Sequence, residues 1–204
     1  NMFVNRRYSY DLLKKIKKCK IKYFAQTDIS IAEDDKMLAL LKDSGCSILF
    51  IGLESVDQQT LRGIDGNHWK SKYLEKYGFY INKIQAKGMG VLGAFIIGFD
   101  HDTRATVDNI VSFVRSNNLY SAQLTILTPY PGTETRNELE KQKRILSKGW
   151  SHYNCTEVNF KPKNFSEVEL QDALIKMYSD IFCKEQIISN LKYFMKHFRG
   201  NQCA

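Results

Sequence analysis

The amino-acid sequence predicts an α/β fold: a partial (incomplete) TIM-type barrel of parallel strands with crossover helices, followed by a C-terminal helical tail. Three observations carry this. Short apolar runs of strand length alternate with helix-period segments of about 10 to 15 residues, the pattern of parallel strands joined by crossover helices. The run Val91 to Ile97 is almost unbroken in its apolarity, as in a central parallel strand covered on both faces. Beyond Trp150 the alternation stops and a long amphipathic segment follows. Residues 1–165 read as the partial barrel and residues 166–204 as a C-terminal helical extension; the start at Asn1, on the run-in to a helix, reads as a cut on the N-terminal side.

In chain order, Ser9 is the expected cap of a helix running to about Lys18, and a short strand follows at Lys22 to Ala25. Asp34 to Ser44 carries Met37, Leu38, Leu40 and Leu41 on one face, with Gly45 free to take positive φ at the helix end. The strand Ser47 to Leu53 comes next, then a polar loop at Arg62 to His68. A helix with Tyr73, Leu74, Tyr77, Ile81 and Ile84 inward leads to the stop at Gly88. After Val91 to Ile97, Thr103 caps a helix carrying Val107, Ile110, Val111 and Val114. Gln123 to Leu127 is the last clear strand, closed by the rigid turn Thr128-Pro129-Tyr130-Pro131-Gly132. Val158 to Phe160 suggests one more short strand. Ser166 to Glu169 forms a capping box opening a helix with Leu170, Leu174, Met177, Ile181 and Phe182 inward, expected to lie across the barrel wall.

With 204 residues, 43% of them hydrophobic and 25% charged, the chain has the composition of an ordinary globular domain. It contains no uncharged apolar stretch of about eighteen residues and no signal-peptide core at its start, so a soluble, cytoplasmic protein without membrane contact is expected. The five cysteines, Cys19, Cys46, Cys155, Cys183 and Cys203, have neither zinc-ligand nor disulfide spacing; Cys19 and Cys46 read as buried small hydrophobes, and no metal is assigned. His68, His101 and His152 stand isolated and read as surface or core residues. The formal charge of +8 and the lysines from Lys14 to Lys22 invite a nucleic-acid reading, but Leu12, Leu13, Ile16 and Cys19 recur between them at helical spacing. That pattern fits a solvated helix face, and nucleic acid is not the expected partner.

Chemistry in parallel α/β barrels collects where the strands' C-terminal ends meet, because only that rim presents side chains from several strands together. The residues just after each strand are Gln26 with Asp28, Glu54 with Ser55, Gly98 with Asp100, and Thr128 with Pro129. They suit a polar small molecule with a ribose or amino-acid end. Glu54 directly follows a rigid strand and can accept bonds from sugar hydroxyls or an ammonium; as a carboxylate near a helix start it can equally serve backbone N–H groups. Asp100 carries the same two readings, since Asp100-His101-Asp102-Thr103 precedes a helix.

The segments Gly45 to Ser55, Gly93 to Asp100 and Leu127 to Thr133, in this order and spacing, resemble radical S-adenosylmethionine enzymes, particularly the branch with an N-terminal cobalamin-binding domain. The resemblance runs from about Asn1 through Lys163. It implies a barrel holding a 4Fe-4S cluster on a C-x3-C-x2-C loop, where S-adenosylmethionine is split to a deoxyadenosyl radical. Glu54 and Ser55 would be ribose or methionine contacts, Gly98 and Asp100 the element after the next strand, and Thr128 with Pro129 the adenine-side rim, with Gln26 also lining it. The C-x3-C-x2-C motif is absent, so the cluster's ligands are expected outside this chain, with cobalamin possible in the full-length protein. The chain reads as a fragment, inactive alone, of an iron-sulfur oxidoreductase or methyltransferase-like enzyme that cradles S-adenosylmethionine. Its partners would be that cofactor and a small-molecule substrate.

Two other readings stand beside it: a non-radical α/β-barrel enzyme using Glu54 and Asp100 as an acid and base pair, and a basic RNA- or protein-binding module. An incomplete barrel exposes the edge of its first strand and an open flank, so self-association of the fragment is expected.

Overall fold

A computed structural model describes residues 2–64 and 67–199. Asn1, Asp65, Gly66, Cys203 and the rest of 200–204, which fall within segments and residues named above, lie outside the described residues.

Four parallel strands form one sheet in the order β1 (Tyr23–Thr27), β2 (Cys46–Glu54), β3 (Gly90–Ile97) and β4 (Ser121–Ile126). Each step from strand to strand passes through helices. α1 (Arg6–Cys19) leads into β1, and α2 (Asp35–Asp43) joins β1 to β2. α3 (Gln58–Ile64), α4 (Trp69–Tyr73) and α5 (Tyr77–Ala86) join β2 to β3, and α6 (Arg104–Ser116) joins β3 to β4. α7 (Glu134–Lys141), α8 (Glu167–Ile181) and α9 (Lys184–Arg199) follow. The partial parallel barrel expected from the alternation is the architecture observed.

The two faces of the sheet differ. Leu49, Ile51, Leu53, Val91, Phe95, Ile97, Leu124 and Ile126 are buried against the helical layer and build the core with Leu38, Leu41, Ile81, Ile84, Ile110 and Val114. The alternate residues, among them Gln26, Phe50, Gly52, Glu54, Ala94, Ile96 and Thr125, face the concave side and stay half-buried or exposed. Phe24 on that side is 72% exposed, and with Ile48, Phe50, Leu92 and Gln123 it lines a shallow apolar hollow of about 290 Å³.

The two sheet edges are also unlike. Along β4, the Tyr178 hydroxyl on α8 both donates to Leu124 O at 2.9 Å and accepts from Leu124 N at 3.3 Å, while Cys155 O accepts from Ile126 N at 2.8 Å. Those contacts occupy backbone groups that would otherwise template another strand. Along β1, Met2 N donates to Gln26 O at 3.5 Å.

Several local expectations change. α1 begins before Ser9 because Asn5 caps it, accepting from Tyr8 N; buried Ser9 instead donates back to Asn5 O and Met2 O. The single helix expected around Tyr73 to Ile84 is α4, a 3-10 turn at Leu74–Lys76, and α5, with Tyr73 and Leu74 only partly buried. The loop from Arg62 begins inside α3. Val158 to Phe160 contributes an isolated antiparallel bridge, Phe160 to Ile145. Cys19 is exposed at the end of α1 whereas Cys46 is buried, and Phe182 is exposed rather than inward. Thr103 and Ser166 each cap as expected, both in capping boxes, and Gly45 takes φ 101°. Among the described residues no helix is long and apolar enough to cross a membrane.

Candidate functional site

Every strand of a parallel sheet points its C-terminal end the same way, so the loops after β1 to β4 share one rim. β2 ends in a bulge, where its pairing with β3 shifts between Gly52 and Glu54. Glu54 takes φ 67°, a left-handed conformation uncommon for a residue with a side chain. That geometry turns the Glu54 carboxylate back over the sheet. A Cβ on Gly52 would stand 2.5 Å from Glu54 Oε1, so only a glycine leaves the carboxylate this place. Lys70, from α4, closes the arrangement: its Nζ donates to Glu54 Oε1 at 2.7 Å and to Gly52 O at 3.2 Å. The two side chains are 19% and 20% exposed, a partly desolvated ion pair on the concave side.

The next strand end is built differently. Gly98 takes φ 102°, and its N–H and that of Phe99 both donate to Asp102 Oδ2, at 2.9 and 3.0 Å. Asp102 Oδ1 accepts from the Thr60 hydroxyl at 2.9 Å, tying α3 to the β3 loop. Burial pushes the Asp102 carboxyl up to about 6, against the pull of these three donors, because it lies 1% exposed. A side chain at Gly98 would meet Leu170, Phe160 and Leu127, so its close approach is to the C-terminal tail.

Asp100 faces two cations. Arg144 reaches it with both terminal nitrogens, at 2.8 Å to Oδ1 and 3.2 Å to Oδ2, and Lys163 Nζ lies 2.7 Å from Oδ2. Partial burial pushes this carboxyl up, but the bonds from Arg144 and Lys163 outweigh it and hold the group below the usual carboxylate range. Arg144 also donates to Lys161 O and Gln142 Oε1, so the pair fastens the 142–163 segment over the strand end.

Beside this latch lies a cavity of about 370 Å³, walled by Ile96, Phe99, Leu127 and Leu139, with Thr60, Asp100, Glu138 and Arg144 among its polar borders. Its walls mix apolar residues with charged and polar ones, a lining suited to a polar small molecule.

The expected site residues divide accordingly. Gln26 is exposed on the concave face of β1, and Glu54 is at the rim of β2. Ser55 is fully buried, its hydroxyl accepting from Asp57 N at the start of α3. Asp100 borders the cavity, while Gly98 forms the strand end behind it. Thr128 donates to Ile126 O, and Pro129 is buried in the turn. Glu54 and Asp100 are engaged by different cations, Lys70 and Arg144 with Lys163, which does not favour a shared acid and base role. Lys70, Thr60 and Arg144 carry no local sequence signal as site residues. Asp102 alone had a local signal, as an acid just before the helix cap Thr103.

The residues present do not fit an iron-sulfur cluster: among the described residues, no group of three or more His, Cys, Asp or Glu side chains is placed to hold a metal. His68, His101 and His152 are all exposed.

No family model matches the chain. Over 193 residues it is 28% identical to the bacteriochlorophyllide d C-8(2)-methyltransferase of Chlorobaculum tepidum, covering 95% of this chain and 42% of that protein. It is 23% identical over 192 residues to the bacteriochlorophyllide d C-12(1)-methyltransferase of the same organism, covering 94% and 41%. The chain thus spans less than half the length of these relatives. Among solved structures it matches TsrM of Kitasatospora setae, a radical S-adenosylmethionine methyltransferase, with 15% identity, 70% of this chain and 28% of that one. The TM-score is 0.61 against the form with tryptophan and an S-adenosylmethionine analogue, and 0.59 against the form with cobalamin and a 4Fe-4S cluster. In sequence the chain is similar to bacteriochlorophyllide methyltransferases and in fold to the barrel of a radical S-adenosylmethionine methyltransferase, the resemblance already carried by its three strand-end motifs.

Proposed function

We propose that this chain is the S-adenosylmethionine-cradling part of a radical S-adenosylmethionine enzyme of the methyltransferase class, with its 4Fe-4S cluster held by residues outside this stretch. The observation that carries the reading is the Glu54–Lys70 pair, seated over Gly52 at the rim of an open parallel sheet. Such a pair offers one anion and one cation side by side, which matches the ammonium and carboxylate of an amino-acid end. The apolar walls at Ile96, Phe99 and Leu127, after the neighbouring strands, suit a flat nucleobase.

In this reading Glu54 orients the cofactor's methionine end and Lys70 neutralises its carboxylate. Asp102, through Gly98 and Phe99, holds the strand end against which the base rests, and Gln26, Asp100, Thr128 and Pro129 complete the rim. Bound S-adenosylmethionine supplies the methyl or radical chemistry. Cobalamin is a further cofactor of the whole protein, as in the solved form of TsrM. The substrate is a small organic molecule, and the names of the relatives favour a tetrapyrrole.

The test is anaerobic reconstitution of the whole protein, with iron and acid-labile sulfide measured alongside S-adenosylmethionine binding. About four irons per chain and cofactor binding weakened by Glu54→Gln are expected; a reconstituted protein free of iron and indifferent to S-adenosylmethionine would overturn the reading. Self-association of this stretch in isolation belongs to the same proposal, supported by the exposed Phe24 on the edge strand, and light scattering on the 204-residue chain tests it.

A further inference from the structure

The end of the molecule opposite the rim has its own chemistry. Helix C-termini and strand N-termini meet there, because each crossover helix runs back antiparallel to the strand it precedes. Exposed Lys18, Lys20 and Lys22 at the end of α1, Lys87 at the end of α5 and Arg115 at the end of α6 all lie at this end. α9 crosses it: Asn190 donates to Leu119 O at 3.1 Å, and Phe194 packs edge-on against Tyr120 at 5.2 Å, both at the entry to β4. With that face spent, α9 turns Ile187, Ile188, Leu191 and Met195 outward at helical spacing, Leu191 being 57% exposed. Lys192 and Lys196 border this stripe and Lys184 stands at its start.

We propose that this end is a docking surface for an anionic phospholipid bilayer, with α9 lying in the headgroup plane and its apolar stripe directed at the acyl boundary. A basic amphipathic helix of low overall hydrophobicity is the form such contacts take. Helix dipoles account for cations at the ends of α1, α5 and α6 without any partner, but they leave the apolar stripe of α9 unexplained. Lys184, Lys192 and Lys196 beside the stripe also argue against a second copy as its cover, since like charges would meet across it. The acids at this end are few and largely engaged: Asp43 pairs with Lys17, Asp180 with Lys176, and Glu185 lies at the start of α9. The inference is independent of the cofactor reading, since it uses no residue of the rim.

The experiment is flotation of the whole protein with vesicles of phosphatidylcholine alone or with phosphatidylglycerol added. Partition to the anionic vesicles should exceed that to neutral ones by about tenfold or more and fall as salt is raised. Leu191→Gln with Met195→Gln should abolish it, and Lys192→Gln with Lys196→Gln should weaken it several-fold, with far-UV circular dichroism confirming that the variants remain folded. Absence of flotation, or equal flotation with both vesicle types, overturns the proposal. So does a concentration-dependent dimer that the Leu191 variant dissolves, which would assign the stripe to a second copy.

Discussion

Lys70 Nζ and Glu54 Oε1 stand 2.7 Å apart on the concave side of the sheet, at the place where the missing Cβ of Gly52 makes room for the carboxylate. Both ends of the pair are positioned by rigid elements, the end of β2 and the helix α4. Pre-organised charges of this kind lose little freedom on meeting a ligand.

Gly52→Ala should therefore mimic Glu54→Gln. The new methyl would stand 2.5 Å from Glu54 Oε1 and force the carboxylate away. Each variant should weaken S-adenosylmethionine binding to the whole protein by about tenfold or more, an effect of about 1.4 kcal/mol. Isothermal titration calorimetry reads the affinity directly.

Asp102 should leave a signature in the pH dependence of stability. Its carboxyl is pushed up to about 6 by burial, above the ordinary 3.8. The folded state then holds the proton more tightly than the unfolded one. The group's contribution is fully present at low pH and is lost as pH rises through about 6. The stability of the wild type relative to Asp102→Asn should shift in the wild type's favour on acidification from neutral pH to about 4, by up to about 3 kcal/mol. Urea unfolding of the two proteins across that range checks the sign.

Gly98→Ala should destabilise the chain. At φ 102° an alanine is strained, and its Cβ would sit 3.0 Å from Leu170 and 3.2 Å from Phe160, both buried. A loss of about 1–3 kcal/mol is expected, read as a lower melting temperature.

The Asp100–Arg144 latch calls for a double-mutant cycle. Arg144 is 11% exposed and bidentate, so Asp100→Asn leaves its charge short of a partner. With Arg144→Met in combination, the coupling energy should come to about 1–2 kcal/mol. Because Asp100 is held below the usual carboxylate range, its stabilisation is present above the ordinary value of 3.8 and fades as pH falls below it. Chemical denaturation of the four proteins at neutral and acidic pH measures both effects.

Much of this fold is written locally. Thr103 and Ser166 cap their helices through residues three positions away, and the apolar period of Val91 to Ile97 marks a covered strand without reference to any partner. Where two local signals competed, the nearer one was decisive: Asn5 caps α1, so Ser9 is taken into the helix. The broken helix around Tyr73 escaped its sequence pattern, because residues in α4, the 3-10 turn and α5 keep a similar apolar spacing while the axis changes.

Alternation, caps and strand-end motifs were thus determined by the sequence alone, since each depends on backbone preferences and side chains a few residues apart. The partners of the rim were decided only by the tertiary structure. Lys70 meets Glu54 across 16 positions, Thr60 meets Asp102 across 42, and Arg144 meets Asp100 across 44. No periodicity encodes such meetings, because they depend on sheet register and on how each helix returns over its strand. The contrast between the concave face and the opposite basic end arises in the same way, from the common direction that parallel pairing imposes on every strand.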